Sequence, residues 1–426
     1  MTPEIKQRIE QIQNGEIPEG YKKTRAGIMP YEWCAKKEYK AKDIFCSVSD
    51  KNHNGDYEIL SATQDRGIIP RSQVDIDIKY DVNNTSGYKK VEKGDFVISL
   101  RSFQGGIEYS EYTGLVSPAY TVLKPKTPIC DGYYKSYFKT NDFICRLNKG
   151  TYGIRDGKQV GFKDFGEMVI HFPPLPEQQK IARILATQDK IIECYEKKIE
   201  QLKQMKKYYL QNMFPKHGET VPKIRFKGFT EPWEQRKLGD IADIVGGGTP
   251  STQNSDFWDG DIDWYTPVDV ADQIYISASE RKITQIGYDN STAKMLPVGT
   301  VLFTSRAGIG KTAILRKIGC TNQGFQSIVP HDNELDSYFI FSRTEELKRY
   351  AEILGAGSTF VEVSGKQMAK ISLMIPKEIS EQQKIGSFFS AYDTLFILTH
   401  SKLEEEKKKI KALQQLLLTG IVRVKL

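Results

Sequence analysis

The pentapeptide Glu177-Gln178-Gln179-Lys180-Ile181 recurs 204 residues later as Glu381-Gln382-Gln383-Lys384-Ile385, and each copy opens a long apolar-periodic run. In the first run the seam falls at Ile181, Leu185, Ile192, Tyr195, Ile199, Leu202, Tyr209 and Met213, with Gln188 and Lys206 as polar members. In the second it falls at Ile385, Phe389, Tyr392, Phe396, Thr399, Leu403, Glu406, Ile410, Leu413 and Leu417. A sustained 3.5-residue period predicts a left-handed coiled coil rather than the surface helix of a globular core. Both copies share the same phase. Thr399 and Glu406 are expected to weaken the middle of the pair.

Pro173, Pro174 and Pro176 precede the first run and Pro376 the second, while neither run contains an internal proline. Some 35 residues at about 1.5 Å each make a rod of roughly 50 Å. No small core needs that length, so a spacer is the natural use.

The repeat extends beyond the helices. Gly94-Asp95-Phe96-Val97-Ile98-Ser99-Leu100-Arg101 matches Gly299-Thr300-Val301-Leu302-Phe303-Thr304-Ser305-Arg306, and Tyr120 to Pro125 matches Phe325 to Pro330, both at an offset of 205. These short β-branched stretches read as strands. Ala41-Lys42-Asp43-Ile44-Phe45 and Leu238-Gly239-Asp240-Ile241-Ala242 open the two copies, and helical stretches from Tyr133 to Leu147 and from Tyr338 to Leu354 follow, stopping at Gly150 and Gly355. The fold class is α+β: two globular domains joined by two long antiparallel coiled-coil helices in a pseudo-twofold internal repeat.

The expected division is an N-terminal helical segment at 1–30, a first globular domain at 31–172, a central region with the first long helix at 173–230, a second globular domain at 231–375, and a C-terminal region with the second long helix at 376–426. Lys23-Thr24-Arg25 and Trp33 echo Lys223-Ile224-Arg225 and Trp233. That wrapped repeat predicts a nearly cyclic arrangement in which residues 1–30 continue the helical region.

Composition narrows the classes. With 426 residues there is room for two or three domains, and no apolar run approaches the ~20 residues of a membrane span. The first residues lack a signal peptide's apolar core, and a cytoplasmic location is expected. The six cysteines have no Cys-x-x-Cys spacing, which disfavours structural zinc and a disulfide framework. A net charge of +7 permits nucleic-acid binding without requiring it.

Three stretches invite a catalytic reading. Ser305 to Thr312 ends like a phosphate-binding loop, but Ser305 stands where the first glycine belongs. Asp65, Asp77 and Lys79 resemble a nuclease metal cluster that the second copy lacks. Gly246-Gly247-Gly248-Thr249 precedes no helix and reads as a flexible loop able to approach a surface closely. A methyltransferase's Pro-Pro-aromatic motif and donor turn are missing.

Taken together, Lys237-Leu238-Gly239-Asp240-Ile241-Ala242, Gly247-Gly248-Thr249-Pro250, Thr304 to Gly310, Asn322 to Ser327, Gly357-Ser358-Thr359 and the Glu-Gln-Gln-Lys-Ile helix entry resemble the specificity subunits of type I restriction-modification systems. The resemblance implies two target recognition domains, each reading half of a split double-stranded DNA sequence, with the helices fixing the spacer. It also implies two methyltransferase subunits as partners, further restriction/translocase subunits, and no catalysis or cofactor in this chain. S-adenosylmethionine, ATP and magnesium belong on the partners. Two reading heads suit half-sites about one helical turn, ~34 Å, or a near multiple apart.

The candidate DNA contacts lie on loops flanking the strands. They are Gln64, Arg66, Arg71, Arg101, Arg155 and Lys158 in the first domain, and Thr249, Arg281, Lys282, Arg306 and Lys311 in the second. Lys206, Lys207 and Lys407 to Lys409 read as solvating charges on helix faces. A nuclease or ATPase using Asp77, Lys79 or Lys311, and a coiled-coil protein-interaction scaffold, are the competing functions.

Overall fold

A computed structural model describes residues 2–74, 85–149, 160–270, 273–306, 308–355 and 362–424. The chain divides into two compact units, one made of Met1–Glu196 with Lys402–Leu426 and the other of Lys197–Ser401. The predicted heptad runs form helices Leu175–Asn212 and Ile379–Leu418, so each unit holds part of both. Pro176 falls inside the first turn of its helix, where a missing N–H costs nothing.

Within the second unit, Lys203 lies over the Phe396 ring, Lys206 binds Asp393, and Tyr209 meets Phe388. Partner numbers fall as the first helix advances, which defines an antiparallel pair. Every predicted seam residue on both helices is buried or half-buried. The polar members are not gaps. Gln188 donates to Glu406 in the first unit, and the Thr399 hydroxyl donates to the Leu395 carbonyl of its own helix at 2.7 Å. Lys206, expected to be a solvating charge, is paired with Asp393, whose other oxygen accepts from Tyr338 Oη at 2.8 Å. Lys407 likewise pairs with Glu196 at 3.1 Å and Lys409 with Glu406 at 3.1 Å. Gln188 with Glu406, Lys206 with Asp393 and, at the exposed rim, Glu196 with Lys407 cross between the helices and are satisfied in one axial alignment, so these three pairs fix the register, whereas the Thr399 and Lys409 bonds stay within their own helix.

In the first unit, strands Phe45–Val48, Thr121–Pro125, Phe96–Ile98 and Glu108–Tyr109 form one antiparallel sheet in that spatial order. In the second, Ala242–Gly246, Gln326–Pro330, Val301–Phe303 and Thr312–Leu315 repeat it, and Tyr275–Ile276 adds a parallel edge. Short helices Ala41–Ile44 and Leu238–Ile241 lead into the sheets. Each predicted helical stretch is in fact two helices, Asp131–Tyr137 and Asn141–Lys149 in one unit, Ser337–Ser342 and Thr344–Gly355 in the other. Gly150 lies outside the described residues.

The start of each long helix belongs to a domain core. Ile181 and Leu185 pack with Phe45, Phe96, Tyr134, Phe138 and Ile410, while Ile385 and Phe389 pack with Trp233, Leu238, Phe303 and Phe339. Burying such side chains contributes roughly 1.5–3 kcal/mol each. Each globular domain and the start of its helix therefore share one core.

The shared pentapeptide explains the joint residue by residue. Glu177 is fully buried, and its carboxylate accepts from Arg423 Nε at 2.6 Å, Arg423 Nη2 at 2.8 Å and the Trp33 indole at 3.0 Å. Glu381 accepts from Arg225 Nε at 2.7 Å, Arg225 Nη2 at 2.8 Å and the Trp233 indole at 3.4 Å. Gln178 ties the Cys130 amide to the Pro173 carbonyl, as Gln382 ties the Asp336 amide to the Pro376 carbonyl. The first unit's arginine is thus Arg423, from beyond the second long helix, and not the sequence echo Arg25. Arg25 carries the matching tripeptide, but the chain reaches Glu177 from its other terminus.

Both terminal segments accordingly meet in the first unit. Arg8 Nη1 donates to the Ile421 carbonyl at 2.8 Å, and Tyr21 Oη donates to the Gly420 carbonyl at 2.7 Å. Gly420, at φ +77°, ends the second long helix; a Cβ there would stand 2.5 Å from Pro30. His171 seals the same junction, with Nδ1 2.8 Å from the Leu418 carbonyl and Nε2 3.4 Å from the Ala26 carbonyl. Backbone pairing of Ala41 with Met168 and of Leu238 with Ile371 makes Met374 its counterpart.

Two predictions follow from these joints. Arg225→Ala and Arg423→Ala each leave a buried carboxylate without its cation, and each should destabilise its own unit by about 3 kcal/mol in chemical denaturation. A loss under about 1 kcal/mol would show that the tryptophan alone satisfies the glutamate. Burial, with Arg146 adding to it, pushes the His171 imidazole down to about 4. A depressed histidine favours the fold above its unfolded value of ~6.5, so the first unit should lose roughly 3 kcal/mol as pH falls from ~6.5 to about 4. His171→Met should remove that part of the acid sensitivity, seen as a flatter stability profile over the same window.

Candidate nucleic-acid interface

In the first unit, Gln64 and Arg66 sit in the exposed turn of the hairpin Leu60–Thr63 and Gly67–Pro70. The Gln64 side chain lies against Gly105, where a Cβ would be 2.7 Å from it. Gly105 ends the short helix Ser102–Gly105 that Arg101 caps. Lys139 ties these pieces together, donating to the Gln64 carbonyl at 3.2 Å, the Gly105 carbonyl at 2.9 Å and Glu108 Oε1 at 2.5 Å. Glu108 Oε2 is buried without a partner, and burial raises this carboxyl's pKa against the pull of Lys139.

Arg71 and Arg101 act together on Tyr120. Burial pushes that phenol up, and the two guanidinium charges draw it back down. Arg66 donates from Nη2 to the Gln73 carbonyl at 3.2 Å. Gln64, Arg66, Arg71 and Arg101 therefore fall on connected loops of one domain. Arg155, Lys158, Asp77 and Lys79 lie outside the described residues.

The second unit builds its loops around the glycine run. Gly248 donates to the Thr321 carbonyl at 2.8 Å, and a Cβ on Gly247 would be 2.0 Å from the Asn322 carbonyl. A flexible loop meeting an outside surface was the expectation; the close approach is instead internal, made to Thr321–Asn322 and Thr292–Ala293. Thr249 donates its hydroxyl to Gln323 Oε1, and Gly324 accepts from the Ser305 amide at 2.8 Å. Trp258 and Trp264 donate their indole N–H groups to the Ser251 and Gly248 carbonyls at 3.0 and 2.8 Å. Arg281 lies over Trp258 at 3.8 Å.

Lys282 faces inward, 3.7 Å from Asp263, which Lys317 also holds at 2.8 Å. Burial pulls the Asp263 carboxyl up, yet the bond from Lys317, the Ser279 amide and the nearby lysine charges outweigh it and leave the pKa low. Arg306 follows strand Val301–Phe303 as Arg101 follows Phe96–Ile98, in each case with two residues between. Lys311 lies on the far side of the same loop, its amide donating to Thr304 Oγ1 at 2.9 Å. This loop joins two antiparallel strands, so no helix N-terminus follows Lys311 to hold a phosphate.

Sequence reasoning missed Lys139, Tyr120, Gln323 and both tryptophans as parts of these clusters. Trp258 and Trp264 could have been found as the tryptophans left over once Trp33 and Trp233 are matched across the repeat. Among the described residues no group of three or more His, Cys, Asp or Glu side chains could hold a metal ion, and no helix is long and apolar enough to cross a membrane.

A duplicated α+β domain, each copy fused to a shared pair of register-locked helices, defines a modular recognition architecture. The chain belongs to the family described as type I restriction modification DNA specificity domain, which it matches twice, over residues 35–204 and 230–408. It is 37% identical over 189 residues to the type I restriction enzyme MjaIX specificity subunit of Methanocaldococcus jannaschii, a match covering 44% of this chain and 42% of that protein. Against the putative MjaX specificity subunit of the same organism it is 26% identical over 438 residues, covering 96% and 97%. The fold is similar to that of a chain solved in a study of complex assembly and conformational transition of the type I R-M system, with TM-score 0.53, 15% identity, and coverage of 96% and 100%. It is also similar to the type I restriction-modification S subunit from M. genitalium, with TM-score 0.50, 14% identity, and coverage of 91% and 96%.

The packed glycine loop makes a direct prediction. A Cβ on Gly248 would stand 2.3 Å from the Ala293 amide nitrogen. Gly248→Ala should cost about 1–3 kcal/mol in denaturant unfolding, and a cost near zero would mean that the loop moves aside freely.

Proposed function

We propose that this chain is the noncatalytic DNA-reading subunit of a type I restriction-modification complex. Each recognition domain takes one half of a bipartite, asymmetric double-stranded target. The long helices fix the spacer and receive two methyltransferase subunits. Methyl transfer with S-adenosylmethionine, and ATP- and magnesium-dependent translocation and cleavage, belong to those and to further restriction subunits.

One observation carries this reading. The two units share a four-strand framework with an arginine at the same connection, Arg101 or Arg306, and differ in the side chains around it. A shared frame with unlike loops suits unlike half-sites. The phosphate contacts that set affinity require exposed cations, and each domain supplies them on adjoining loops. An ATPase at Lys311 is disfavoured by the antiparallel strands that its loop joins. The family match weighs against a scaffold that binds protein alone.

The test uses the chain assembled with methyltransferase subunits on duplex DNA. Arg101→Ala and Arg306→Ala should each weaken binding, and each lost phosphate contact should reduce the slope of log K against log salt by about 1. Unchanged affinity and slope in both variants would remove this face from DNA contact. Methyl transfer by the chain alone would overturn the noncatalytic assignment.

A further inference from the structure

We propose that Arg281 reads a guanine in the half-site taken by the second domain, and that Trp258 is the positioning residue that aims it. The inference rests on the DNA-reading function proposed above and names the base chemistry of that site.

The chain has four tryptophans. Trp33 and Trp233 are accounted for by the buried glutamates they bind. Trp258 and Trp264 serve no such joint. Their rings meet edge to face at 5.1 Å and 85°, and both are almost wholly buried. Their indole N–H groups are spent on the Ser251 and Gly248 carbonyls, which fastens the pair to the glycine loop.

Arg281 completes the group. Its guanidinium carbon lies 3.8 Å from the Trp258 ring centre and 5.8 Å from that of Trp264. Its backbone is anchored as well, the carbonyl accepting from Ser279 Oγ at 2.6 Å and from the Trp264 amide at 3.3 Å. Yet among the described residues no acceptor takes its guanidinium N–H groups. The neighbouring cations are engaged, since Lys282 and Lys317 both serve Asp263. An exposed, stacked arginine with an open N–H edge is what this corner of the domain presents.

A guanidinium held 3.8 Å from the centre of an indole ring is already restrained and loses little further freedom when it binds. Its fork fits the O6 and N7 acceptors of guanine in the major groove, and it also fits a phosphate. Two observations favour the base. The contact with Trp258 restrains where the guanidinium sits, which a contact to a diffuse backbone charge does not need. The glycine loop to which both tryptophans are fastened also holds Gln323, through Thr249, and a neutral amide there adds no charge for phosphate but can bond a base edge.

The experiment selects bound duplexes from a random pool with the full chain in its methyltransferase complex, comparing wild type with Arg281→Lys, Arg281→Ala and Trp258→Leu. Wild type should select a G·C pair at a position where Arg281→Lys, which keeps the charge but loses the fork, reduces the preference by between about 5-fold and about 100-fold. The rest of the selected sequence should persist. Trp258→Leu should weaken the same position; should it fail to fold, Arg281→Lys decides alone. A uniform loss of affinity with the selected sequence intact would make Arg281 a phosphate contact and overturn the proposal. A wild-type complex that selects no sequence would overturn the DNA-reading function itself, whereas selection unaltered by every Arg281 variant would sink only the guanine assignment.

Discussion

A carboxylate without water needs a cation and donors arranged around it, and this protein places one such carboxylate at the start of each long helix. Glu177 and Glu381 are buried. Each is gripped by two guanidinium nitrogens and an indole. Position alone favours a negative side chain there, because the first turn of a helix carries unpaired N–H groups and a partial positive charge. Both tryptophans and Arg225 come from the segments entering the domains, while Arg423 comes from the chain that follows the second long helix. Helix, domain and connecting chain are therefore locked at one point in each unit, and the angle at which a domain leaves its helix is set there.

The helix seam adds a second constraint. Leucine and isoleucine knobs hold two helices together but tolerate sliding by a heptad. Gln188 with Glu406, and Lys206 with Asp393, do not tolerate it, because a slip would bury each group without its partner. Each unit has its own such pin, Gln188 with Glu406 in the first and Lys206 with Asp393 in the second. Gln188, Lys206 and Glu406, which interrupt the heptads, are the ones that give the seam a single alignment.

Much of this was legible in the chain. The heptad phase, the doubled pentapeptide and the strands at an offset of 205 are local patterns, and local patterns survive in sequence. Partnership across long separations does not. Glu406 looked like a flaw because its partner Gln188 is 218 residues away, and Lys206 looked solvated because Asp393 is 187 residues away. Arg25 was matched to Arg225 by its tripeptide, while the role passed to Arg423. Candidate contacts fared unevenly for the same reason: a loop arginine is visible, but the contact of Arg281 with Trp258 comes with a strand whose pairing to Lys282–Ile283 shifts register between Trp258 and Ile262. The glycine run showed that close approach occurs and not what is approached.

The two units also differ in how the chain supplies them. The second is drawn from one continuous stretch, Lys197–Ser401, whereas the first needs Met1–Glu196 together with Lys402–Leu426. During synthesis from the N-terminus, the second unit has all its residues while the first still lacks Ile410, Leu417 and the cation for Glu177. The domain begun first is finished last. Until residues 402–426 leave the ribosome, its aromatic core lacks the side chains that close it, and an exposed core of that kind invites aggregation of the nascent first domain.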